Sequence, residues 1–337
     1  MKHMMKLAAL LLCAALLLVT PALAEEEWSG VYVLNIPMPV GGYFADGVPD
    51  VSTSAPDAES YIWVEKVEGD TAYVHMKNIN ASEMLELTVP FLLYAPQVSL
   101  HLILEGTNVF IASESDPAAF GILCSGQVTI SGKTPEASLA IKNVRIAGIN
   151  TLTRSTSASN GITIQNCSVT IENVKGDAGF AGIPGGAIQA INNEAVIFPQ
   201  DPIQNKVNYI QKNANVTINN APVGILALGG DIEISGGKTH IHNTAEGAVA
   251  ASAGEIRLSK DLQIVKPALG KVGTNEIASF IADANGEPAK TVHIEPGAAV
   301  QPSVPSTGDG ANLVLWQGML AVSGVAIALL NRKRRSA

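Results

Sequence analysis

Residues 223–237 read VGILALGGDIEISGG, and residues 246–260 repeat the same arrangement as EGAVAASAGEIRLSK. Each stretch has a glycine, a short apolar run, a corner of small residues, and a second run in which apolar and polar residues alternate. Alternation with a period of two is typical of a β-strand that is buried on one face. The pattern therefore predicts a repeated unit that is built from strands.

Three more segments follow the pattern: FGILCSGQVTISG at 120–132, NGITIQNCSVTIENV at 160–174 and GGAIQAINNEAVIF at 185–198. The glycines that open the five segments are Gly121, Gly161, Gly186, Gly224 and Gly247. They are spaced by one or two multiples of roughly 20 residues, and a unit of this size is typical of a solenoid. Stacked units would bury a continuous aliphatic column, which fits a chain with only 5% aromatic residues. Asn, Gly and Ser recur at the corners, where they tolerate positive φ.

The parity of the strands also orients two cysteines. Cys124 shares its parity with Val128, and Cys167 shares its parity with Val169, so both thiols are expected to face inward. Two cysteines in an exported chain permit one disulfide, but they stand at different places in their repeats. We favour two separate buried thiols, and a disulfide between Cys124 and Cys167 remains the alternative.

Residues 25–97 do not follow the repeat and are predicted to form a β-rich cap or small domain. Within them, YIWVEKVEGDTAYVHMKNI at 61–79 alternates on both sides of Glu68-Gly69-Asp70 and predicts a hairpin. AKTVHIEP at 289–296 is expected to be the last strand, followed by a Pro/Ser/Ala spacer at 297–303.

The N-terminus has the pattern of a secretory signal peptide. Two lysines precede a 13-residue apolar run from Leu7 to Val19, which is too short to cross a bilayer as a helix. Ala22 and Ala24 are the small residues that precede a cleavage site, so the mature chain is expected to begin at Glu25. Residues 25–307 contain 29 of the 30 acidic residues and 15 of the 21 basic ones, a net charge of about −14. A body this acidic is not expected to bind nucleic acid.

The middle of the chain resembles a repeat of Gram-positive surface proteins. The resemblance is carried by SLHLILEGTNVFIASESDPAAFGILCSGQVTISG at 99–132 and by the glycine-rich GDAGFAGIPGGAIQA at 176–190. It implies a right-handed parallel β-helix for residues 98–296, and some members of this family are carbohydrate-binding or adhesin-like.

The C-terminus resembles a sortase sorting signal at 304–337. Its pentapeptide is Val304-Pro305-Ser306-Thr307-Gly308, with Val in place of the usual Leu. An apolar span at 313–330, long enough for a transmembrane helix in the precursor, and a basic tail at 331–337 follow it. The resemblance implies a thioester at Thr307, loss of the chain from Gly308 onward, and an amide link to peptidoglycan. A permanent membrane anchor is the alternative.

Catalytic motifs are not evident. Glycoside hydrolases of parallel β-helix fold commonly have Asp-Asp, Gly-His-Gly and Arg-x-Lys motifs, and the sequence contains none of them; HExxH and GxSxG are also missing. His240 and His242 share one face of a strand, so together they could bind a metal ion. Because no third ligand is evident, we interpret them as solvated residues. Residues that could stack on sugars are Phe110, Phe120, Phe180 and Tyr209, with packing at corners as the alternative.

We therefore expect an all-β protein consisting of a signal peptide (1–24), a cap (25–97), a parallel β-helix (98–296), a spacer (297–303) and a sorting signal (304–337). The expected function is non-enzymatic: adhesion or carbohydrate binding on the cell wall of a Gram-positive bacterium, without a metal or cofactor. The expected partners are sortase and peptidoglycan, and glycans or host matrix. A polysaccharide-degrading lyase or glycosidase and a ligand-free spacer are the alternatives.

Overall fold

The computed structural model describes residues 28–45, 48–81, 91–114, 118–153, 159–176, 185–192, 206–276 and 278–297. Within these ranges the regular elements are 23 β-strands without a helix. All of the strands are joined by hydrogen bonds into one large sheet. The expectation of an all-β protein is confirmed. The signal peptide, the spacer from residue 298 and the sorting signal lie outside the described residues.

The strands of the N-terminal part are β1 (Trp28–Val33), β2 (Ile36–Pro39), β3 (Gly42–Ala45), β4 (Val48–Val51), β5 (Tyr61–Glu68) and β6 (Thr71–Lys77). Antiparallel pairs join β1 to β2, β3 to β4 and β5, and β5 to β6. The β5–β6 pair is the hairpin predicted at 61–79. Its turn closes between Glu68 and Thr71, and Gly69 has a φ of 62°, which glycine adopts without steric cost.

The strands of the middle part are β7 (Phe91–Ala95), β8 (Ser99–Glu105), β9 (Thr107–Ile111), β10 (Phe120–Cys124), β11 (Val128–Gly132), β12 (Ser138–Lys142), β13 (Ala147–Thr153), β14 (Ser159–Gln165), β15 (Ser168–Glu172), β16 (Gly186–Asn192), β17 (Val207–Leu228) and β18 (Ile232–Ser252). The last strands are β19 (Ile256–Leu258), β20 (Leu262–Lys266), β21 (Lys271–Thr274), β22 (Ala278–Ala282) and β23 (Val292–Pro296).

Parallel pairing arranges the middle strands in three ladders. The first ladder contains β6, β8, β11, β14, the first parts of β17 and β18, and β19. The second contains β9, β12, β15 and the middle parts of β17 and β18. The third contains β7, β10, β13, β16 and the last parts of β17 and β18. The chain visits the first, second and third ladder in turn, and then begins again with the first.

Paired residues in a ladder form aligned, buried columns. In the first ladder one column contains Ala72, Leu100, Val128, Ile162, Tyr209, Ile232 and Ile256. A column in the second ladder contains Phe110, Ile141, Ile171, Ile218 and Ile241. Because parallel pairing puts each side chain about 4.8 Å from its equivalent, these columns produce a continuous aliphatic core.

The repeats are not all in phase, contrary to the sequence interpretation. Gly121 and Gly224 lie in the third ladder, as do Gly186 and Gly247, which stand one position earlier in the register. Gly161 instead lies in β14, in the first ladder. The segment at 160–174 therefore covers the first and second ladders, whereas the segment at 120–132 covers the third and first. The local pattern is the same because every ladder requires the same alternation.

Asparagines occupy the corner after the second ladder, as the sequence suggested. Asn143, Asn173, Asn220 and Asn243 all have φ between 55° and 61°. Each later side chain donates a hydrogen bond from Nδ2 to Oδ1 of the one before it, at 3.1 to 3.2 Å. We call these four residues the asparagine stack. It holds a left-handed corner at equivalent places in four successive turns of the chain.

A buried polar group interrupts the aliphatic core near the start of β17. Gln211 is fully buried, and its Oε1 accepts hydrogen bonds from Tyr209 Oη at 3.0 Å and from Thr239 Oγ1 at 2.9 Å. Its Nε2 donates to the carbonyls of Ala214 and Lys238. The amide thus satisfies the buried hydroxyls of Tyr209 and Thr239 and two backbone carbonyls.

Antiparallel strands lie against both ends of the ladders. At the N-terminal end, β1 pairs with β7, and β5 pairs with β6. At the C-terminal end, β22 and β23 pair with β18. Strands β6 and β7 already belong to parallel ladders, so the ladders begin at Thr71, ahead of the boundary that the sequence suggested after residue 97. The expected last strand corresponds to β23.

Both cysteines face the core, as their parity predicted. Cys124 and Cys167 are free thiols that are 0% and 1% exposed. Burial raises the pKa of each thiol to about 12. They behave as small apolar residues of the inner columns.

Candidate functional site

The sequence-predicted ligand residues fall in different environments. Phe110 and Tyr209 belong to the inward columns and are fully buried, so neither ring presents a face to a ligand. Burial also raises the pKa of Tyr209, whose hydroxyl is held by Gln211. Both residues pack in inward columns of the strands, and neither packs at a corner as the alternative had suggested. Phe120 joins a cluster of aromatic rings, whereas Phe180 lies outside the described residues.

The residues of the two terminal signals also lie outside the described residues. These are the cleavage residues Ala22, Ala24 and Glu25 and the pentapeptide Val304, Pro305, Ser306, Thr307 and Gly308. Both signals therefore remain predictions from the sequence.

Five aromatic side chains form one continuous array at the N-terminal end of the third ladder. We call this array the aromatic strip, and its members are Trp28, Tyr32, Phe91, Tyr94 and Phe120. Strand pairing brings them together, because Tyr32 lies opposite Tyr94 and Phe91 lies opposite Phe120. On β7, Leu92 and Leu93 are fully buried, whereas Phe91 and Tyr94 are partly exposed.

The rings of the aromatic strip are in direct contact. Phe91 stacks on Tyr94 with centroids 4.4 Å apart and on Phe120 at 5.9 Å. Tyr32 stacks on Tyr94 at 5.8 Å, and Trp28 meets Tyr32 edge to face at 5.9 Å. Exposure increases along the strip, from 5% for Phe120 to 43% for Trp28.

This geometry suits a ligand with both apolar and polar surface. Aromatic rings present flat apolar faces, and the tyrosine hydroxyls and the indole N–H add polar groups at their edges. The C–H face of a sugar ring packs on such a surface while its hydroxyls reach the polar groups. A partly exposed apolar array of this kind is one mark of a binding site.

Sequence reasoning missed four of the five members of the strip. Trp28, Tyr32, Phe91 and Tyr94 lie in the region 25–97, which the repeat pattern does not cover. A local signal existed on β1, since Trp28 and Tyr32 in WSGVYV share one parity. The pairing of β1 with β7 and of β7 with β10 is a long-range feature that the sequence does not reveal.

A second outer face, on the first ladder, has polar and aromatic residues in pairs. The ring of Tyr73 contacts that of His101, with centroids 5.2 Å apart, and the imidazole of His75 lies 2.8 Å from a carboxylate oxygen of Glu65. His101 Nε2 lies 2.9 Å from Ser131 Oγ. Burial lowers the pKa of His101, and the nearby His75 lowers it further. Each of these histidines already has a local partner.

A cluster of three histidines and a glutamate lies at the opposite end of the molecule. We call His240, His242, His293 and Glu295 the histidine cluster. Strand β18 contributes the first two and β23 the last two, with His240 directly opposite His293. The alternate residues Ile241, Val292 and Ile294 are fully buried, so all four polar side chains project outward.

Three side chains of the histidine cluster, those of His240, His293 and Glu295, are close enough to share one ligand. His240 Nε2 lies 2.7 Å from Glu295 Oε1, and the Nε2 atoms of His242 and His293 are 3.2 Å apart. One ligand atom from each of His240, His293 and Glu295 lies within 4.8 Å of the other two. The sequence interpretation found no third ligand because Glu295 is 55 residues from His240 and approaches it only through the β18–β23 pairing.

The electrostatics of the cluster favour neutral imidazoles at His242 and His293. Burial lowers the pKa of His242, and the charges of His240 and Lys266 lower it further. Burial and the two neighbouring histidines likewise lower the pKa of His293, although Glu295 acts in the opposite direction. Neutral imidazoles are the form that can bind a cation through nitrogen.

Comparison with known proteins adds no further constraint. The chain matches none of the protein-family models, curated proteins or solved structures with which it was compared. In the part of the chain that the structure describes, no helix has the length and apolar character needed to cross a membrane.

Proposed function

We propose that the protein is an exported, wall-anchored carbohydrate-binding module without enzymatic activity. In this proposal its three ladders are the three faces of a right-handed parallel β-helix. The repeated order of the ladders and their in-register columns support the β-helix. Its handedness rests on the resemblance of residues 98–296 to the surface-protein repeat and on the general preference of parallel crossovers for the right hand.

The single observation that carries the binding function is the aromatic strip. It contains five of the chain's 16 aromatic residues, with rings in contact and Trp28 as its most exposed member. Four of its rings remain partly or largely exposed, which packing of the core does not require. A carbohydrate that covered Trp28 and Tyr94 would remove apolar ring surface from water, and each well-buried ring contributes about 1–2 kcal/mol.

Delivery to the cell surface is the second part of the proposal. The signal peptide would export the chain, and sortase would join Thr307 to peptidoglycan. The most exposed member of the strip, Trp28 on β1, lies a few residues from the predicted new N-terminus at Glu25, and the anchor lies at the other end of the chain. The body between them would act as a stalk that presents the strip.

The binding function is tested by exposing the purified full chain to an array of bacterial, plant and host glycans. We expect saturable binding to a set of related glycans. If no glycan on the array binds the protein while circular dichroism verifies its fold, the binding function is contradicted. Mass spectrometry of cell-wall digests tests the anchor. A C-terminus at Thr307 linked to a peptidoglycan fragment supports it, and a chain that continues past Gly308 contradicts it.

A further inference from the structure

The histidine cluster concentrates residues that are rare in this chain. The sequence has six histidines among 337 residues, and three of them lie in contact at this one place. The other two in the described residues, His75 and His101, have their own partners on the first ladder. Three adjacent imidazoles beside a carboxylate form the type of ligand set that binds divalent transition metals.

The separations fit a single ion. Zinc lies about 2.0–2.1 Å from imidazole nitrogen and about 2.0–2.2 Å from carboxylate oxygen, so two ligands of a tetrahedral ion are about 3.3 Å apart. The His240–Glu295 separation of 2.7 Å is slightly shorter, and the whole set lies within 4.8 Å. Small rotations of the exposed side chains would bring all three atoms to the required distance, since His240 and Glu295 are 30% and 32% exposed.

We propose that His240, His293 and Glu295 bind one divalent transition-metal ion of the zinc class. His242 flanks the site beside His293. The three ligands leave one position of a tetrahedral ion for solvent. The ion joins β18 to β23, and it thereby fastens the antiparallel strand that lies against the end of the second ladder.

The ligand chemistry selects the class of metal. Imidazole nitrogen suits Zn²⁺, Cu²⁺ and Ni²⁺, whereas Ca²⁺ and Mg²⁺ prefer sets of oxygen ligands. The site offers a single carboxylate, so the alkaline-earth ions have too few oxygens. Lys266 is the charged group that opposes a cation here, because it pairs with His293 across β20 and β23. Its side chain is exposed and can turn into solvent.

The test uses the tag-free full chain, stripped with a chelator and titrated calorimetrically with Zn²⁺, and separately with Ca²⁺ and Mg²⁺. We expect one Zn²⁺ per chain and no heat of binding from Ca²⁺ or Mg²⁺. The variants His240→Gln and His293→Gln keep the size of the side chain but remove a ligand, and each should weaken Zn²⁺ binding at least about tenfold. His75→Gln, a half-buried histidine of the first ladder, is the matched control and should bind as the wild type does.

A second measurement separates loss of binding from loss of fold. Saturating Zn²⁺ should raise the unfolding temperature of the wild type and of His75→Gln, because a ligand that binds the folded state stabilises it. The ligand variants should unfold near the temperature of the metal-free wild type when no metal is added, and the same Zn²⁺ concentration should raise their unfolding temperature less than that of the wild type. The proposal is overturned if Zn²⁺ does not bind, if both ligand variants bind it as well as the wild type does, or if His75→Gln loses binding equally. None of these results depends on glycan binding.

Discussion

The asparagine stack offers the sharpest test of how the corners are held. Asn173 stands in the middle of it, donating to Asn143 Oδ1 at 3.2 Å and accepting from Asn220 Nδ2 at 3.1 Å. Its φ is 58°, in the left-handed region that ordinary residues avoid. Asn173→Ala removes both side-chain hydrogen bonds and leaves a Cβ in that region, whereas Asn173→Gly removes the bonds and keeps the permitted backbone.

The expected costs follow from these two effects. Each hydrogen bond between side chains contributes about 0.5–1 kcal/mol, because Asn173 is partly solvated. A left-handed backbone costs an ordinary residue about 1–2 kcal/mol. We therefore expect Asn173→Ala to lower the free energy of unfolding by about 2–4 kcal/mol. Asn173→Gly should lower it by about 1–2 kcal/mol, so that the difference between the two variants measures the backbone strain.

Urea denaturation of the full chain, followed by circular dichroism, measures these values. Asn285→Ala is the matched control, because Asn285 lies on an exposed turn outside the stack, and it should change the free energy of unfolding by less than about 0.5 kcal/mol. If the alanine and glycine variants were equally stable, the strain argument would be refuted. If both were as stable as the control, the stack would make no contribution to stability.

Three further predictions concern the core and one ion pair. Gln211→Met should lower the free energy of unfolding by at least about 3 kcal/mol in the same assay, because it removes the hydrogen-bond partner of the buried Tyr209 and Thr239 hydroxyls and of the Ala214 carbonyl; a cost below about 1 kcal/mol would contradict the described network. Cys124 and Cys167, with pKa values raised to about 12, should not react with a thiol reagent in native protein at pH 8, and both should react in denaturant; rapid native labelling would show that they are accessible. The hydrogen bond from Lys142 lowers the pKa of Glu172, so its contribution is present at neutral pH and is lost as acid titrates the folded carboxylate. Glu172→Gln should cost about 0.5 kcal/mol at pH 7 and lose less stability than the wild type between about pH 5 and pH 3; parallel pH profiles would argue against this contribution.

Features that depend on local alternation could be predicted from the sequence. The strand content, the hairpin around Gly69, the inward orientation of Cys124 and the strand at 289–296 all follow from a period of two and from turn residues. These features require only that one face of each strand is buried. The asparagine corners follow in the same way, from the tolerance of Asn for positive φ.

Features that depend on register between distant strands could not be predicted. The position of Gly161 in a different ladder from Gly121 depends on how many residues each corner uses, and corner length leaves no periodic signal. The aromatic strip requires β1 to pair with β7, and the histidine cluster requires β23 to fold back on β18. A one-residue shift in either pairing would turn the same side chains to the opposite face. Tyr209 illustrates the reverse error. From the sequence it was a candidate for stacking on a sugar, but it lies in an inward column.

The central claim is that the aromatic strip is the binding surface, and one ratio tests it most directly. It is the dissociation constant of Trp28→Ala divided by that of Tyr73→Ala, measured with the full chain for one glycan that the array identifies. Both variants remove a partly exposed aromatic ring, but Tyr73 lies on the first ladder. We expect Tyr73→Ala to bind as the wild type does and the ratio to reach at least about five, equivalent to about 1 kcal/mol. A ratio near one would contradict the account and place the ligand elsewhere on the molecule.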